Sequence, residues 1–298
     1  MVFQVQPPWL LFLHFIAIAV LLPAVDSLPP PPAAAAAAVA TVFDDNYVAT
    51  YGGDGYHLVN QGAQISLTLD KSSGAGFRSK LMYGSGFFHM RIKVPAGYTA
   101  GVVTAYYLAS EPDRDVQDEV DFEFLGDKDG EPITLQTNVF IGGHGDREQR
   151  LRLWFDPAAD FHDYSILWNP FHLVVLKNLT RRGPEFEFPA KPMRPRGSVW
   201  DGSDWATDGG RTKVDWARAP FTAAFQGFAV NACAAAGGGG VSSDDCGSPE
   251  TWWWNGGEYR RLTAAQQAAY DGVRRNLTYD YCTDKSKKKP VPPECSFT

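Results

Sequence analysis

Residues 118–126 read Asp118-Glu119-Val120-Asp121-Phe122-Glu123-Phe124-Leu125-Gly126. Three carboxylates alternate with three large apolar side chains, and a period of two is the signature of a half-buried β-strand. Glu119, Asp121 and Glu123 then leave one face of the strand, while Val120, Phe122 and Phe124 enter a core. Like charges in a row on one strand face repel and destabilise it. A solvated strand edge is the ordinary reading of such a run. Here the apolar half is large and aromatic and the strand ends on a glycine turn, which favours a carboxylate face turned to a cleft. Paired carboxylates in a cleft are the equipment of retaining glycoside hydrolysis, in which one attacks the anomeric carbon and the other protonates the leaving oxygen.

Working outward, the chain from about Phe43 to Phe228 shows short strand-like runs and no strong helical period. Gln64–Leu69 alternates cleanly, and 86–94, 102–108, 134–140, 150–154, 164–168 and 172–176 are also strand-like. Gly, Asp and Pro clusters separate them, as in Ser72-Ser73-Gly74 and Asp127-Lys128-Asp129-Gly130. Many short strands over such a length predict an all-β, two-sheet sandwich. Only Thr263–Arg275 reads as a helix, with Thr263 placed to cap it.

The chain has 298 residues, 44% of them hydrophobic, enough to bury one substantial core and an appendage. A net charge of -7 supplies no basic face for a nucleic-acid backbone. The 9 Trp and 12 Tyr are natural platforms for flat, polar-rimmed ligands as well as core residues. Leu10–Leu22 is apolar apart from His14, and Pro23 and Asp26 cut it short of a membrane span. Residues 1–27 are therefore expected to be a secretory signal and 28–41 a Pro/Ala-rich lead-in. No membrane contact is expected after cleavage.

Four cysteines, Cys233, Cys246, Cys282 and Cys295, all fall in the C-terminal quarter. An even count behind a secretory signal implies disulfides with three possible connectivities, of which the short spacings favour Cys233–Cys246 and Cys282–Cys295. A zinc site is the competing reading, but it lacks a C-x-x-C pair or a nearby histidine. Asn178-Leu179-Thr180 and Asn276-Leu277-Thr278 are glycosylation sequons. Asp127-Lys128-Asp129-Gly130 reads as a polar turn rather than a calcium loop, so no metal and no cofactor are expected.

The 118–126 run resembles the signature of plant xyloglucan endotransglucosylase/hydrolases, members of glycoside hydrolase family 16. So do Ser73–Phe77, Thr99–Leu108, Gln136–Val139, Gly145–Glu148, Leu153–Pro157, Tyr164–Trp168, Asp204–Thr207, Tyr279–Asp284 and Pro293–Cys295. The resemblance implies a curved, concanavalin-like jelly roll over 42–230 and a small stapled C-terminal extension over 231–298. It implies Glu119 as nucleophile, Asp121 as assisting carboxylate and Glu123 as general acid/base. It also implies Gln136, Thr137, Asn138, Asp146, Arg147, Glu148, Asp204, Trp205 and Gly209 as sugar contacts. The partners implied are a xyloglucan donor and a xyloglucan or oligosaccharide acceptor, met by a secreted monomer in the cell wall or apoplast. Asp121, as a neighbouring like charge, is expected to help Glu123 keep its proton.

The chain departs from that pattern in three places. Gln117 stands where His or Arg is common, no sequon follows the catalytic strand, and Lys285 and Lys287 lie where the family often carries an arginine. A larger departure lies near 175–177. The strand at 171–175 runs directly into Leu176-Lys177-Asn178 with no turn signal, short of a returning strand. Unpaired backbone groups there would cost on the order of 1–3 kcal/mol each if buried. Either the gene model is at fault or a shortened hairpin impairs folding or cleft shape. Two functional readings compete with transfer: a non-catalytic glucan-binding jelly roll impaired by that missing hairpin, and, independently, a hydrolase of a related β-glucan.

Overall fold

The computed structural model describes residues 41–111, 116–173, 176–235, 246–286 and 290–297. The expected signal and nearly all of the lead-in lie outside the described residues, as do Val174, Val175 and Lys287. The strands are β1 (Tyr47–Tyr51), β2 (Tyr56–Val59), β3 (Gln64–Leu69), β4 (Ala75–Ser79), β5 (Tyr83–Lys93), β6 (Val102–Ser110), β7 (Glu119–Leu125) and β8 (Thr134–Phe140). They continue with β9 (Gln149–Arg152), β10 (His162–Trp168), β11 (His172–Leu173), β12 (Leu176–Lys177), β13 (Met193–Asp201), β14 (Phe221–Gln226), β15 (Val230–Ala234) and β16 (Leu277–Asp280). A single-turn helix α1 (Phe43–Asn46) precedes β1, and α2 (Ala264–Arg275) precedes β16.

All pairings are antiparallel, and they form two layers. One runs β1-β4-β13-β6-β7-β8-β9-β16; the other joins β2, β3, β14, β5, β10, β11 and β12, with β15 along β5. A single pair, Met193 with Tyr83, links them into one continuous sheet. The core between the layers takes Phe88, Met90 and Ile92 from β5, Tyr164, Ile166 and Trp168 from β10, and Val120, Phe122 and Phe124 from β7. Phe124 meets Tyr164 edge-on across the layers at 4.8 Å, the arrangement that aromatic quadrupoles favour. The expected inward face of β7 is the observed one, and the carboxylates are left on the outer face of their layer.

The C-terminal extension is stapled as the spacings favour, by Cys233–Cys246 and Cys282–Cys295. Thr263 caps α2 reciprocally with Gln266, satisfying two otherwise orphaned backbone donors. The boundary expected at 230/231 falls on the first pair of β15, which is bonded to β5. Trp252, Trp253 and Trp254 pack on Phe87 and Leu167, the outer faces of β5 and β10. The extension therefore closes one face of the sandwich as well as lengthening the other layer through β16.

Near 175–177 the structure has a shortened hairpin, and the expectation of unpaired backbone there is corrected. His172 and Leu173 pair with Lys177 and Leu176 as a two-residue hairpin, and the Asn178 amide donates to the Phe171 carbonyl at 2.9 Å. Asn169 braces the hairpin by donating to the carbonyls of Trp254 and Tyr259 and accepting from the amides of Phe171 and His172. A short strand at an edge needs only one partner. The strand order puts β10, β5, β13 and β6 between this hairpin and β7, so its length leaves the carboxylate strand's own neighbours intact.

Candidate active site

β7 lies between β6 and β8, and the register fixes what stands beside each carboxylate. Glu119 faces Ala109 and Phe140, Asp121 faces Tyr107 and Asn138, and Glu123 faces Ala105 and Gln136. The two alanines leave room above Glu119 and Glu123. A cleft of about 490 Å³ opens there, lined by the three carboxylates with Tyr51, Tyr107, Gln117, Arg196, Ser198 and Trp200. Tyr51 lies against Gly76, where an added Cβ would stand 2.4 Å from the ring. Glycine at 76 thus seats an aromatic wall of the cleft.

The start of β7 is tied down by Asp118, a buried carboxylate. Its two oxygens accept from the amides of Gly142, Ala190 and Lys191 at 2.8–2.9 Å. This bond set joins two distant segments to the residue before Glu119. Gln117 donates to Glu119 Oε2 at 2.6 Å, so the departure from His or Arg still leaves a donor on that carboxylate.

Two of the three carboxyls are held protonated well above their ordinary range. Burial is the main cause at Asp121, followed by the charges of Glu119 and Glu123 and a hydrogen bond with Glu119. Burial also leads at Glu123, opposed by the Gln136 amide; Glu119 and Glu148 raise it further, Arg150 lowers it, and it settles at about 7. The charges of Glu119 and Glu123 raise Asp121, and the repulsion is mutual, so an ionised Asp121 would raise Glu123 in turn. Asp121 is also an acid that binds Glu119. A carboxylic acid with a pKa near the working pH, beside a second carboxylate, has the properties of a general acid/base.

The expected sugar contacts divide. Gln136 is buried on β8 and donates to Glu123 Oε2 at 2.7 Å. Asn138, on the same face, accepts from the amides of Val139 and Arg147 and so shapes the loop that follows. Thr137 does not join them. It lies on the opposite face of β8, lining a small cavity with Leu135, Leu151, Tyr270 and Val273 under α2, because alternation turns every second side chain away. Arg147, its side chain 9% exposed, pairs with Glu294 at 2.7 Å and Glu187 at 3.6 Å. Asp146 precedes it with φ +65°. Glu148 lies near enough to Glu123 to raise it.

Asp204 is exposed and pairs with Lys213 at 3.0 Å. Trp205 packs by Val103, Leu125 and Ala206, with its ring 6.0 Å from that of Trp200. Gly209 adopts φ +64° on the exposed turn beyond. Sequence reasoning missed Tyr107, Arg196, Ser198 and Trp200. Alternation along β6 and β13 carries the signal for them, since Ala105, Tyr107 and Ala109 share one face, and Arg196, Ser198 and Trp200 the other strand's matching face. Tyr107 is pushed up to about 12, mainly by burial, and is a neutral donor in the cleft.

A cleft lined by the rings of Tyr51, Tyr107 and Trp200, with acidic groups at its floor, suits a sugar. The fold and the floor together define a β-sandwich glycosidase. Residues 43–218 match the family model for glycosyl hydrolases family 16, and residues 247–295 match that for the xyloglucan endo-transglycosylase (XET) C-terminus. From Arabidopsis thaliana, putative xyloglucan endotransglucosylase/hydrolase protein 1 is 49% identical over 86% of each chain. Xyloglucan endotransglucosylase/hydrolase protein 3 of the same plant is 47% identical over 85% of this chain and 88% of its own. Among solved structures, the chain is similar to a prokaryotic β-1,3-1,4-glucanase (lichenase) derived from a mouse hindgut metagenome, at 21% identity and a TM-score of 0.49 over 62% of this chain and 94% of that one. The chain belongs to the xyloglucan endotransglucosylase/hydrolases of glycosyl hydrolases family 16.

Proposed function

We propose that the protein cleaves the β-1,4-glucan backbone of xyloglucan with retention and passes the new end to a second xyloglucan chain, or to water. The observation that carries this reading is the pairing of Glu119 with a half-buried Glu123 whose pKa stands at about 7, on one strand face at the floor of an open cleft. In the first half-reaction a Glu119 oxygen bonds the anomeric carbon as its bond to the leaving oxygen breaks. The Glu123 proton goes to that oxygen. In the second, an acceptor hydroxyl attacks the same carbon, its proton returns to Glu123, and the bond to Glu119 breaks. Asp121, protonated and bonded to Glu119, stabilises the negative charge that returns to Glu119. Transfer outruns hydrolysis where the acceptor is held in attack position, and Gln136, Asn138, Glu148 and Trp205 are proposed to contact sugar.

The relatives' names support xyloglucan as donor and acceptor. The apolar leader supports secretion to the cell wall, with the exposed Asn276 at the end of α2 as the better placed sequon and Asn178 as a second. Purified protein is given xyloglucan and a labelled xyloglucan oligosaccharide, with Glu119→Ala as blank. Label entering polymer, absent in the blank, is the expected result. New reducing ends without labelled polymer would show a hydrolase. Neither product from a folded protein that binds glucan would overturn the reading.

A further inference from the structure

Glu123, Gln136, Arg150 and Tyr279 are direct register neighbours on β7, β8, β9 and β16. Their side chains form a continuous row. Arg150 Nε donates to Gln136 Oε1 at 2.7 Å, and Gln136 Nε2 donates to Glu123 Oε2 at 2.7 Å. The Arg150 guanidinium lies over the Tyr279 ring at 5.6 Å from its centre, within cation–π range. Thr278 adds a bond from its hydroxyl to the Arg150 carbonyl at 3.2 Å.

The amide in this row has no freedom to turn. Arginine only donates, so the Gln136 oxygen must face Arg150 and its NH2 must face Glu123. A donor on Oε2 of Glu123 disfavours the acidic proton on that oxygen, because an unprotonated carboxyl oxygen is the better acceptor. The proton then favours the other oxygen, where it is free to meet a leaving group.

We infer that Arg150 is a positioning residue for the reaction: it locks the Gln136 amide and thereby decides which oxygen of Glu123 carries the transferable proton, with Tyr279 of the C-terminal extension holding the guanidinium in place. The inference rests on the acid/base reading of Glu123. It gives the extension a part in the chemistry through three links, none of which touches the reacting atoms except Glu123.

Without Arg150 the amide is free to flip and to offer its carbonyl to the Glu123 hydroxyl. That bond holds the proton back and stabilises the acid form. Loss of the cation stabilises the acid form as well. Both effects move the basic limb of the kcat profile upward while lowering its plateau. The other charged or titratable groups around Glu123 are Glu119 and Asp121 on β7, Tyr107 on β6, Glu148 before β9 and Arg196 on β13. The substitutions leave all of them in place.

The test is the pH dependence of kcat for transfer, measured on folded Arg150→Met, Arg150→Lys and Tyr279→Leu. Arg150→Met is expected to lower the plateau by about tenfold and raise the basic limb by about 0.5–1 pH unit. Arg150→Lys, which keeps a cation with donors, recovers part of both. Tyr279→Leu shifts the limb the same way by less, and it serves if Arg150→Met does not fold. A lowered plateau with the limb unmoved in all three would overturn the inference, because a loss of packing alone leaves the proton where it was. Glu123→Gln separates the two levels. If it retains full activity, the acid/base reading fails; if it is inactive while the Arg150 variants keep the wild-type limb, only the role of Arg150 fails.

Discussion

The two flanks of β7 are built differently although both are antiparallel neighbours of one strand. On the β6–β13 side the cleft is lined by Ala105, Tyr107, Ala109, Ser198 and Trp200, small residues and rings, with Arg196 as the one charged side chain among them. On the β8–β9–β16 side the matching positions are Gln136, Asn138, Arg150 and Tyr279, of which Gln136 and Arg150 are bonded in series to Glu123. The first flank makes space and flat apolar walls, which serve a pyranose ring. The second makes directional bonds, which serve a proton. The aromatic walls and the bonds that govern the proton thus stand on opposite sides of the same strand.

The largest effect is expected at the strand between them. Asp121→Asn replaces an O–H donor to Glu119 by a weaker N–H donor, and kcat is expected to fall by about 100-fold, or about 2.7 kcal/mol. Stability should move the other way. The Asp121 carboxyl is raised well above its ordinary value, first by burial and then by its two neighbours. The folded state therefore keeps a proton that the unfolded chain releases above about pH 3.9. The resulting cost is absent below that pH and grows as pH rises toward the folded value. Asparagine is neutral throughout, so melting temperature should rise by about 3–6 °C at pH 7 and scarcely at pH 3.5. An equally active or a less stable variant at pH 7 would remove Asp121 from this scheme.

A smaller effect distinguishes the flanks. Trp200 lines the cleft and is backed by Trp205, so Trp200→Ala should raise KM for donor about tenfold, near 1.4 kcal/mol. Its kcat should stay within about threefold and its basic limb should not move. A shifted limb would mean that the aromatic flank also governs the proton, and the division between the two sides would fail.

How much of this was legible follows from the range of each interaction. The face of β7 was readable because alternation is local, and so were the stapled cysteines and the capped helix. Asp118 was not, since the amides it accepts from lie at Gly142, Ala190 and Lys191. The row from Glu123 to Tyr279 was equally hidden, because only the β9–β16 pairing brings Tyr279 beside Arg150. The hairpin at 172–177 was misread for another reason. Its two strands are so short that neither shows a period, and its brace comes from Asn169 to the distant Trp254 and Tyr259. Thr137 is the instructive miss, for the same parity that sorted β7 sorts β8. Gln136 and Asn138 belong to one face and Thr137 to the other.

That parity gives the smallest expected effect. Thr137 lies with Leu135, Leu151, Tyr270 and Val273 between β8 and α2, a site that a valine of nearly equal shape can fill. Thr137→Val should keep kcat and KM within about twofold and stability within about 1 kcal/mol. Asn138→Ala is the paired comparison, since it removes the acceptor for the amides of Val139 and Arg147 from the face that carries Glu123's partner. It should cost about 1–3 kcal/mol of stability and raise KM, through the loop at 139–147 that those bonds hold. If Thr137→Val alone weakened sugar binding, β8 would have to present its other face to the cleft. The Gln136 bond to Glu123, and with it the polar flank, could not then exist.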